Sequence, residues 1–140
     1  MNILKFVLLL TLALPLSAPA GELMEIRLLV GGETLAAILE DNPTSRDFAR
    51  MLPVTLTMKD YNGTEKIGDP PRALSTKEAA DGFDPSIGDI TLYAPWGNLA
   101  IFYRDFPWSR GLIPLGRITS GVEKLAALRG NFEVTFEQAR

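Results

Sequence analysis

The sequence predicts a mainly β protein, a closed or nearly closed antiparallel β-barrel of about eight strands with two short helices. Stretches of alternating apolar and polar residues recur along the chain, as in strands that bury one face. Turn residues such as Gly31-Gly32 separate neighbouring stretches, which is typical of antiparallel hairpins. No long amphipathic segment lies between strands to serve as a parallel crossover helix, so antiparallel closure is the economical architecture.

The first twenty residues, 1–20, are predicted to be a signal peptide, followed by one domain at residues 21–140. Lys5 precedes an apolar run from Phe6 to Leu16, and Ser17–Ala20 has the small-residue pattern of a signal peptidase site. A membrane-spanning helix needs roughly 20 apolar residues, well beyond this run, so an uncleaved anchor is the less favoured alternative. We expect export to the periplasm or the medium, with no membrane contact after cleavage.

Composition excludes several classes of function. The chain carries 14 basic and 17 acidic residues, and the basic ones form no cluster that would attract nucleic acid. Because the sequence has no Cys and no His, disulfides, thiolate nucleophiles, His-dependent triads and imidazole metal ligands are all excluded. Most Asp residues adjoin Pro, Gly or Asn, as turn residues do, and their spacing matches no calcium loop. We expect no metal and no cofactor.

Two strands and a helix are predicted at the start of the domain. The alternating residues of Met24–Val30 and Glu33–Glu40 flank the Gly31-Gly32 turn. Asn42 and Pro43 fit the cap and the first position of a helix. The apolar stripe of this helix comprises Phe48, Met51 and Leu52, before Pro53 ends it.

A third strand, a turn and a long segment without period follow. Val54–Lys59 alternates, Asn62-Gly63 is a turn, and Glu65–Ile67 is a short strand. The segment Gly68–Gly88 is predicted to be a loop, and a loop of this length is either functional or a cover over the fold. We favour the cover, because long surface loops cost little free energy.

The stretch Gly88–Asp105 is the apolar and aromatic centre of the predicted sheet, with two strands flanking a turn at Pro95–Asn98. In the first strand, one face carries Ile90, Leu92 and Ala94 and the other Asp89, Thr91 and Tyr93. In the second strand, one face carries Leu99, Ile101 and Tyr103 and the other Ala100, Phe102 and Arg104.

The C-terminal part is predicted to contain a loop, a strand, a helix and a last strand. Phe106–Gly111 is the loop, and Ile113–Ile118 is the strand. Ser120 and Glu123 have the spacing of a capping box at the start of the helix. Its apolar face comprises Val122, Leu125 and Leu128, and the last strand alternates through Phe132, Val134 and Phe136.

This order of elements resembles the cyclophilin barrel. Leu115-Gly116-Arg117-Ile118 is similar to the Phe-Gly-(Lys/Arg)-Val strand of cyclophilins, and Gly121-Val122-Glu123 follows at the matching distance. Ile101-Phe102 stands where cyclophilins have an aromatic-rich strand, and Trp108 lies near their loop tryptophan. The stretch Tyr93–Tyr103 resembles still more closely the hallmark of a small bacterial family of cyclophilin-like fold proteins. The resemblance implies a fold rather than a reaction.

The same resemblance allows the catalytic positions of cyclophilin prolyl isomerases to be compared with the residues of this chain. It aligns Lys59 with the arginine that stabilises the twisted amide in cyclophilins, and lysine lacks the planar fork of arginine. It aligns Thr64 and Glu65 with the two apolar residues that line the cyclophilin pocket, and Leu112 with the histidine at the pocket wall. Only Phe102 matches the residue type that cyclophilins have at its position. Lys59 and Phe102 are thus remnant catalytic candidates, and these departures argue against an efficient isomerase.

The candidate ligand-binding residues are Tyr93, Trp96, Phe102, Arg104 and Trp108. The aromatic ones, joined by Phe106, would line a groove with Arg104 or Arg110 at its edge. The structural alternative makes Phe102 a core residue, Trp96 a cover over one barrel end and Arg104 a solvated strand terminus.

Three functions follow from these observations. The favoured hypothesis is an exported domain that binds a peptide or a small molecule without catalysis. The first alternative is a weak peptidyl-prolyl isomerase, and the second is a protein-interaction module acting through the loop at residues 68–88. Sequence patterns leave the ligand and the oligomeric state open.

Overall fold

The computed structural model describes residues 23–140, so the predicted signal peptide at residues 1–20 lies outside the described residues. The elements of the described chain are β1 (Met24–Val30), β2 (Glu33–Leu39), α1 (Pro43–Ala49), β3 (Val54–Tyr61), β4 (Glu65–Gly68), β5 (Gly82–Phe83), β6 (Asp89–Tyr93), β7 (Asn98–Phe102), β8 (Ser109–Arg110), β9 (Leu112–Ser120), α2 (Val122–Ala126) and β10 (Phe132–Gln138). Across residues 23–140, each helix is too short, or too polar, to cross a bilayer.

Eight strands close into an antiparallel barrel, which confirms the predicted architecture. Their order around the barrel is β1-β10-β3-β4-β7-β6-β9-β2. The strands β5 and β8 form a separate two-stranded ribbon. These two short strands lie in segments predicted as loops, because a two-residue strand is too short to show an alternating pattern.

The barrel interior is filled by the inward residues of its strands, and α1 seals it. Phe48 of α1 is fully buried and packs edge-to-face on Phe136, with ring centroids 5.3 Å apart. Asn42 caps α1 as predicted, since its side chain accepts a hydrogen bond from the backbone N–H of Ser45 at 2.8 Å. The helix ends at Ala49, before the predicted stop at Pro53.

The predicted capping box at the second helix is wrong. Ser120 pairs with Ala36 and so belongs to β9, where its side chain cannot cap a helix. The residue before α2 is Gly121, whose φ of 95° lies in the left-handed region. Glycine fits here twice over, because a Cβ would also come within 2.5 Å of the Leu35 side chain.

The first half of the long segment 68–88 is clamped onto α1. Arg72 donates two hydrogen bonds to the Asp47 carboxylate, at 2.9 and 3.0 Å, and the backbone N–H of Ser75 donates a third at 2.7 Å. The hydrogen bond from Arg72, followed by that from Ser75, lowers the pKa of Asp47 from 3.8 to about 2. Leu74 is buried beside this clamp. Partner docking by the segment stays a prediction.

Candidate functional site

The register of four neighbouring strands brings a set of side chains together on the outer wall of the barrel. Glu65 of β4 pairs with Phe102 of β7, and Ile67 pairs with Ala100. Tyr93 of β6 pairs with both Asn98 and Leu112, on the strands at either side. Because alternate residues of a strand share a face, these side chains all point away from the barrel interior, opposite to Ile90, Leu92, Leu99 and Ile101.

This outer wall carries an apolar cluster of its own. Its buried members are Ala100, Phe102 and Leu112, and the residues packed against them are Ile67, Phe83, Tyr93 and Phe106. Phe106 lies in the loop after β7 and packs on Phe102 with ring centroids 5.6 Å apart. Phe83 comes from β5, so the short β5–β8 ribbon and the loop after β7 together cover the wall.

The cover is incomplete and leaves a cavity of about 200 Å³, here called the aromatic pocket. Its lining residues are Tyr61, Glu65, Ile67, Tyr93, Trp96, Asn98, Phe102, Phe106, Ser109, Arg110 and Leu112. Phe102 is almost fully buried and therefore forms its floor. Since one water occupies about 30 Å³ in the liquid, the pocket has room for a side chain or a small fragment.

Trp96 stands at the mouth of the aromatic pocket. Its ring makes perpendicular contacts with Tyr61 and Tyr93, with centroid separations of 5.4 and 5.3 Å. The turn between β6 and β7 fixes this position, because the backbone N–H groups of Trp96 and Gly97 both bond to the carbonyl of Tyr93. Trp96 is nonetheless 60% exposed, so much of its apolar surface faces solvent beside the pocket.

A second cavity of about 540 Å³ adjoins the aromatic pocket. Tyr61, Ile67, Trp96 and Asn98 line both cavities, so they form the divide between them. Lys59 and Asp69 line the second cavity and not the aromatic pocket. The outer wall thus offers two adjacent depressions with an aromatic ridge between them.

Glu65 is the acidic group of the aromatic pocket. Burial raises the pKa of its carboxyl group, and the negative charge of Asp60 raises it further. The Thr64 hydroxyl donates a hydrogen bond to Glu65 Oε2, which opposes this rise. The carboxylate is therefore only partly compensated by its own neighbours, and a positive group beside it would be stabilised.

Three of the predicted ligand-binding residues come together in this pocket: Tyr93, Trp96 and Phe102. Trp108 does not line it and is 53% exposed, next to Gly82 of the β5–β8 ribbon. Arg104 is exposed beside Tyr103, at two other surface depressions. The remnant catalytic candidates are separated as well, because Lys59 lines the second cavity and Phe102 the aromatic pocket.

Other lining residues had weaker signals in the sequence. The cyclophilin resemblance pointed to Glu65 and Leu112, and the aromatic groove hypothesis included Phe106 and Arg110. Sequence reasoning missed four residues altogether, namely Tyr61, Ile67, Asn98 and Ser109. Extending the alternation of β3 by one pair would have placed Tyr61 on the outer face with Lys59.

A polar cluster of Asp60, Lys66 and Tyr103 lies at one end of the barrel, and hydrogen bonds within the protein pair its members. Lys66 is 2% exposed, and its Nζ donates to the Leu128 carbonyl at 2.7 Å and to Asp60 Oδ1 at 3.3 Å. Burial, together with the hydrogen bond that the Tyr103 hydroxyl donates to Asp60, raises the pKa of Tyr103 to about 12. Within residues 23–140, no three acidic side chains converge as a metal-binding group.

Comparisons with other proteins agree with the fold described above. The solution structure of a hypothetical protein from Archaeoglobus fulgidus is similar, with a TM-score of 0.68 and 21% sequence identity, over 85% of this chain and 97% of that one. At this identity the likeness shows a shared fold. None of the curated proteins matches the chain. A sequence model of the cyclophilin-like family matches residues 28–137, and the chain therefore belongs to the cyclophilin-like family.

Proposed function

We propose that the protein is a binding domain without catalytic activity, and that its ligand is a peptide segment lying across the outer wall of the barrel. The observation that carries this proposal is the aromatic pocket, with the exposed Trp96 ring at its mouth and the buried Phe102 ring at its floor. An exposed aromatic surface beside a preformed apolar cavity is typical of a ligand site.

The shape of the outer wall favours a peptide over a compact small molecule. The aromatic pocket encloses about 200 Å³ and lies beside a second cavity of about 540 Å³. The aromatic pocket is smaller than the roughly 300 Å³ or more of a drug-sized ligand's cavity, so a ligand that fills it has to extend across the ridge into the second cavity. A peptide would place one side chain in the aromatic pocket and a neighbouring residue in the second cavity, with its backbone crossing the Tyr61–Trp96 ridge.

The lining residues supply binding groups and no nucleophile with an activating base. Ser109 lines the pocket, yet its hydroxyl donates to the Pro107 carbonyl at 3.0 Å. The sequence contains no histidine that could take the proton of a serine. Tyr61 and Arg110 can donate hydrogen bonds to a peptide backbone, and the apolar residues can exclude water from it.

The two tryptophans provide an internal test of this proposal. Trp96 stands at the pocket mouth and Trp108 lies outside the lining, so their indole N–H signals in an ¹⁵N-labelled sample report on different places. Titration with a pool of terminally blocked tetrapeptides should move the Trp96 signal saturably and leave that of Trp108 in place. If no peptide moves the Trp96 signal at millimolar concentration, the proposal is wrong.

A weak prolyl isomerase is the alternative, and one observation favours it. Arg110 lines the same pocket as Phe102, so an arginine and an apolar floor belong to one site, at other positions than the cyclophilin resemblance implied and with the guanidinium beside Trp108. Glu65 opposes this alternative, because a half-buried carboxylate is a poor neighbour for a proline ring. A protease-coupled assay decides: catalysis that disappears in Arg110→Lys would establish the isomerase, and a rate at background would exclude it.

We further propose that the domain is exported after cleavage behind Ala20. The support is the apolar run Phe6–Leu16 and the small residues that follow it. Expression of the full sequence in a bacterial host, with intact-mass measurement of the product, should give a chain that begins at Gly21. A product that keeps Met1 and sediments with membranes would overturn this proposal.

A further inference from the structure

We propose that the aromatic pocket receives the cationic side chain of a lysine or arginine from the bound peptide, with Glu65 as its counter-ion. The inference rests on the proposed binding function and specifies its ligand.

The first argument is the situation of Glu65. The residue lies between Tyr61 of β3 and Phe102 of β7 in the strand register, so its side chain shares the outer face with two aromatic residues, and all three line the aromatic pocket. Of the ion pairs formed by residues 23–140, none includes Glu65. Burial and the nearby Asp60 make its negative charge costly, and a ligand cation would compensate both.

The second argument is the arrangement of the rings. Trp96 is perpendicular to both Tyr61 and Tyr93, so the mouth of the pocket presents ring faces in more than one direction. Cations are attracted to ring faces within about 6 Å of the centroid, and most strongly to tryptophan. The fold already uses this contact at the barrel end, where Lys66 Nζ lies 5.0 Å from the ring centroid of Tyr103.

Arg110 also lines the pocket, and its charge has to be accounted for. Its guanidinium lies 6.0 Å from the ring centroid of Trp108, a residue outside the pocket lining. Arg110 is exposed, so water screens its charge. It can donate hydrogen bonds to backbone carbonyls of the peptide, which leaves the pocket floor to the cation.

The occupant is a peptide rather than a free amine because the second cavity continues the binding surface beyond the pocket. A free alkylamine would fill the aromatic pocket and leave the larger cavity, with Lys59 and Asp69, without contact. The formal net charge of the chain, −3, also favours association with a basic peptide.

The test uses pairs of probes that differ in charge. Nα-acetyl-lysine methylamide and Nα-acetyl-norleucine methylamide have similar apolar stems, and the lysine probe alone carries the ammonium group. Each probe is added to the ¹⁵N-labelled protein, and its binding is followed by the shift of the Trp96 indole N–H signal. The lysine probe should bind about tenfold more tightly than the norleucine probe. In Glu65→Gln this preference should fall several-fold, to the part that the aromatic rings supply. Glu133→Gln, on the exposed side of β10, is the control for loss of one negative charge and should keep the preference.

The outcomes distinguish a failure of the cation inference from a failure of the proposed binding function. Equal binding of the two probes overturns the cation inference and leaves the proposed binding function in place. If neither probe moves the Trp96 signal, while blocked tetrapeptides do, the cation inference again fails alone. If no peptide moves the Trp96 indole signal, the cation inference and the proposed binding function are both wrong. If n-butylamine binds as tightly as the lysine probe, the cation stands and the peptide assignment is wrong. Urea unfolding of Glu65→Gln must show a folded protein, and Glu65→Asp should restore part of the preference.

Discussion

The two faces of the β6–β7 hairpin differ in what covers them. The inward face, with Ile90, Leu92, Leu99 and Ile101, is enclosed by the other strands and by Phe48 of α1. The outward face, with Ala100 and Phe102 at its centre, is covered by Phe83 and Phe106 from two connecting segments. Both faces are apolar, yet the inner one is closed and the outer one retains a cavity.

This difference shows where a small barrel can bind a ligand. An interior filled by side chains has no room left, because protein cores pack as densely as organic crystals. An apolar outer wall covered by loops leaves gaps, since loops also have to satisfy their own backbone groups at the surface. The outer wall is therefore the place for a site, and the following experiments test how far the two faces really differ.

Phe136→Ala should give the largest effect, because Phe136 is fully buried on the inward side and packs on Phe48. We expect a loss of about 3–5 kcal/mol in the free energy of unfolding, from lost burial and a closed cavity. Urea denaturation followed by circular dichroism measures it. A loss below 1 kcal/mol would mean that the interior is not the tightly packed region.

Phe102→Ala should cost less, about 2–3 kcal/mol, because the space that it leaves opens into the aromatic pocket and can fill with water. Phe102 is as buried as Phe136, so burial by itself predicts equal losses for the two variants. The comparison of both variants in one urea series separates these expectations. Equal losses would show that the outer cluster behaves as a second closed core.

Asp47→Asn tests the clamp that holds the long segment leading to Phe83. The carboxylate accepts two hydrogen bonds from Arg72 and one from Ser75, and their loss should cost about 1–2 kcal/mol at neutral pH. The folded pKa, about 2, lies below the ordinary 3.8, so this stabilisation is present above pH 4 and is lost as the pH falls towards 2.

The free energy of unfolding of the wild-type protein should therefore decline over that acid range more steeply than that of Asp47→Asn. The exposed Asp105 offers the control, since Asp105→Asn should leave the acid decline unchanged. Identical pH profiles for the wild type and Asp47→Asn would contradict the role of the clamp. Urea midpoints at several pH values give the profiles.

Trp96→Ala should have the smallest effect on stability and the largest on binding. The side chain is mostly exposed, so the free energy of unfolding should change by about 0.5 kcal/mol or less. Peptide binding should be lost, as followed by the backbone amide signals of β7. A large destabilisation would mean that Trp96 covers the barrel, which is the structural alternative for this residue.

Much of the fold could be predicted because the alternation is local. The pattern of Gly88–Asp105 grouped Ile90 with Leu92, and Leu99 with Ile101, on one face of each strand, and the structure places that shared face inside the barrel. The Asn62-Gly63 turn was equally readable, since both residues have positive φ, at 56° and 67°. The capping box at Ser120 failed because continued pairing of β9 with β2 outweighed a local capping preference.

The sequence predicted only part of the site, because the residues that line the aromatic pocket come from several strands. Tyr93, Trp96 and Phe102 lie within one hairpin, so proximity in sequence was enough to group them. Arg104 and Trp108 are just as near in sequence, but the segment after Phe102 brings Phe106 and Arg110 to the aromatic pocket and leaves those two residues outside it. Lys59 faces the neighbouring cavity, because β3 places it opposite Ile67 rather than opposite Glu65.

By itself, the sequence determined the eight barrel strands, the turns and the residues that share a face in the central hairpin, because periodicity and turn chemistry act between near neighbours along the chain. The tertiary structure alone decided that Tyr61, Glu65 and Phe102 stand in one row, and that Arg110 and Leu112 reach the same cavity. Strand order and register in a closed barrel join residues far apart in sequence, and no local pattern encodes which strands become neighbours.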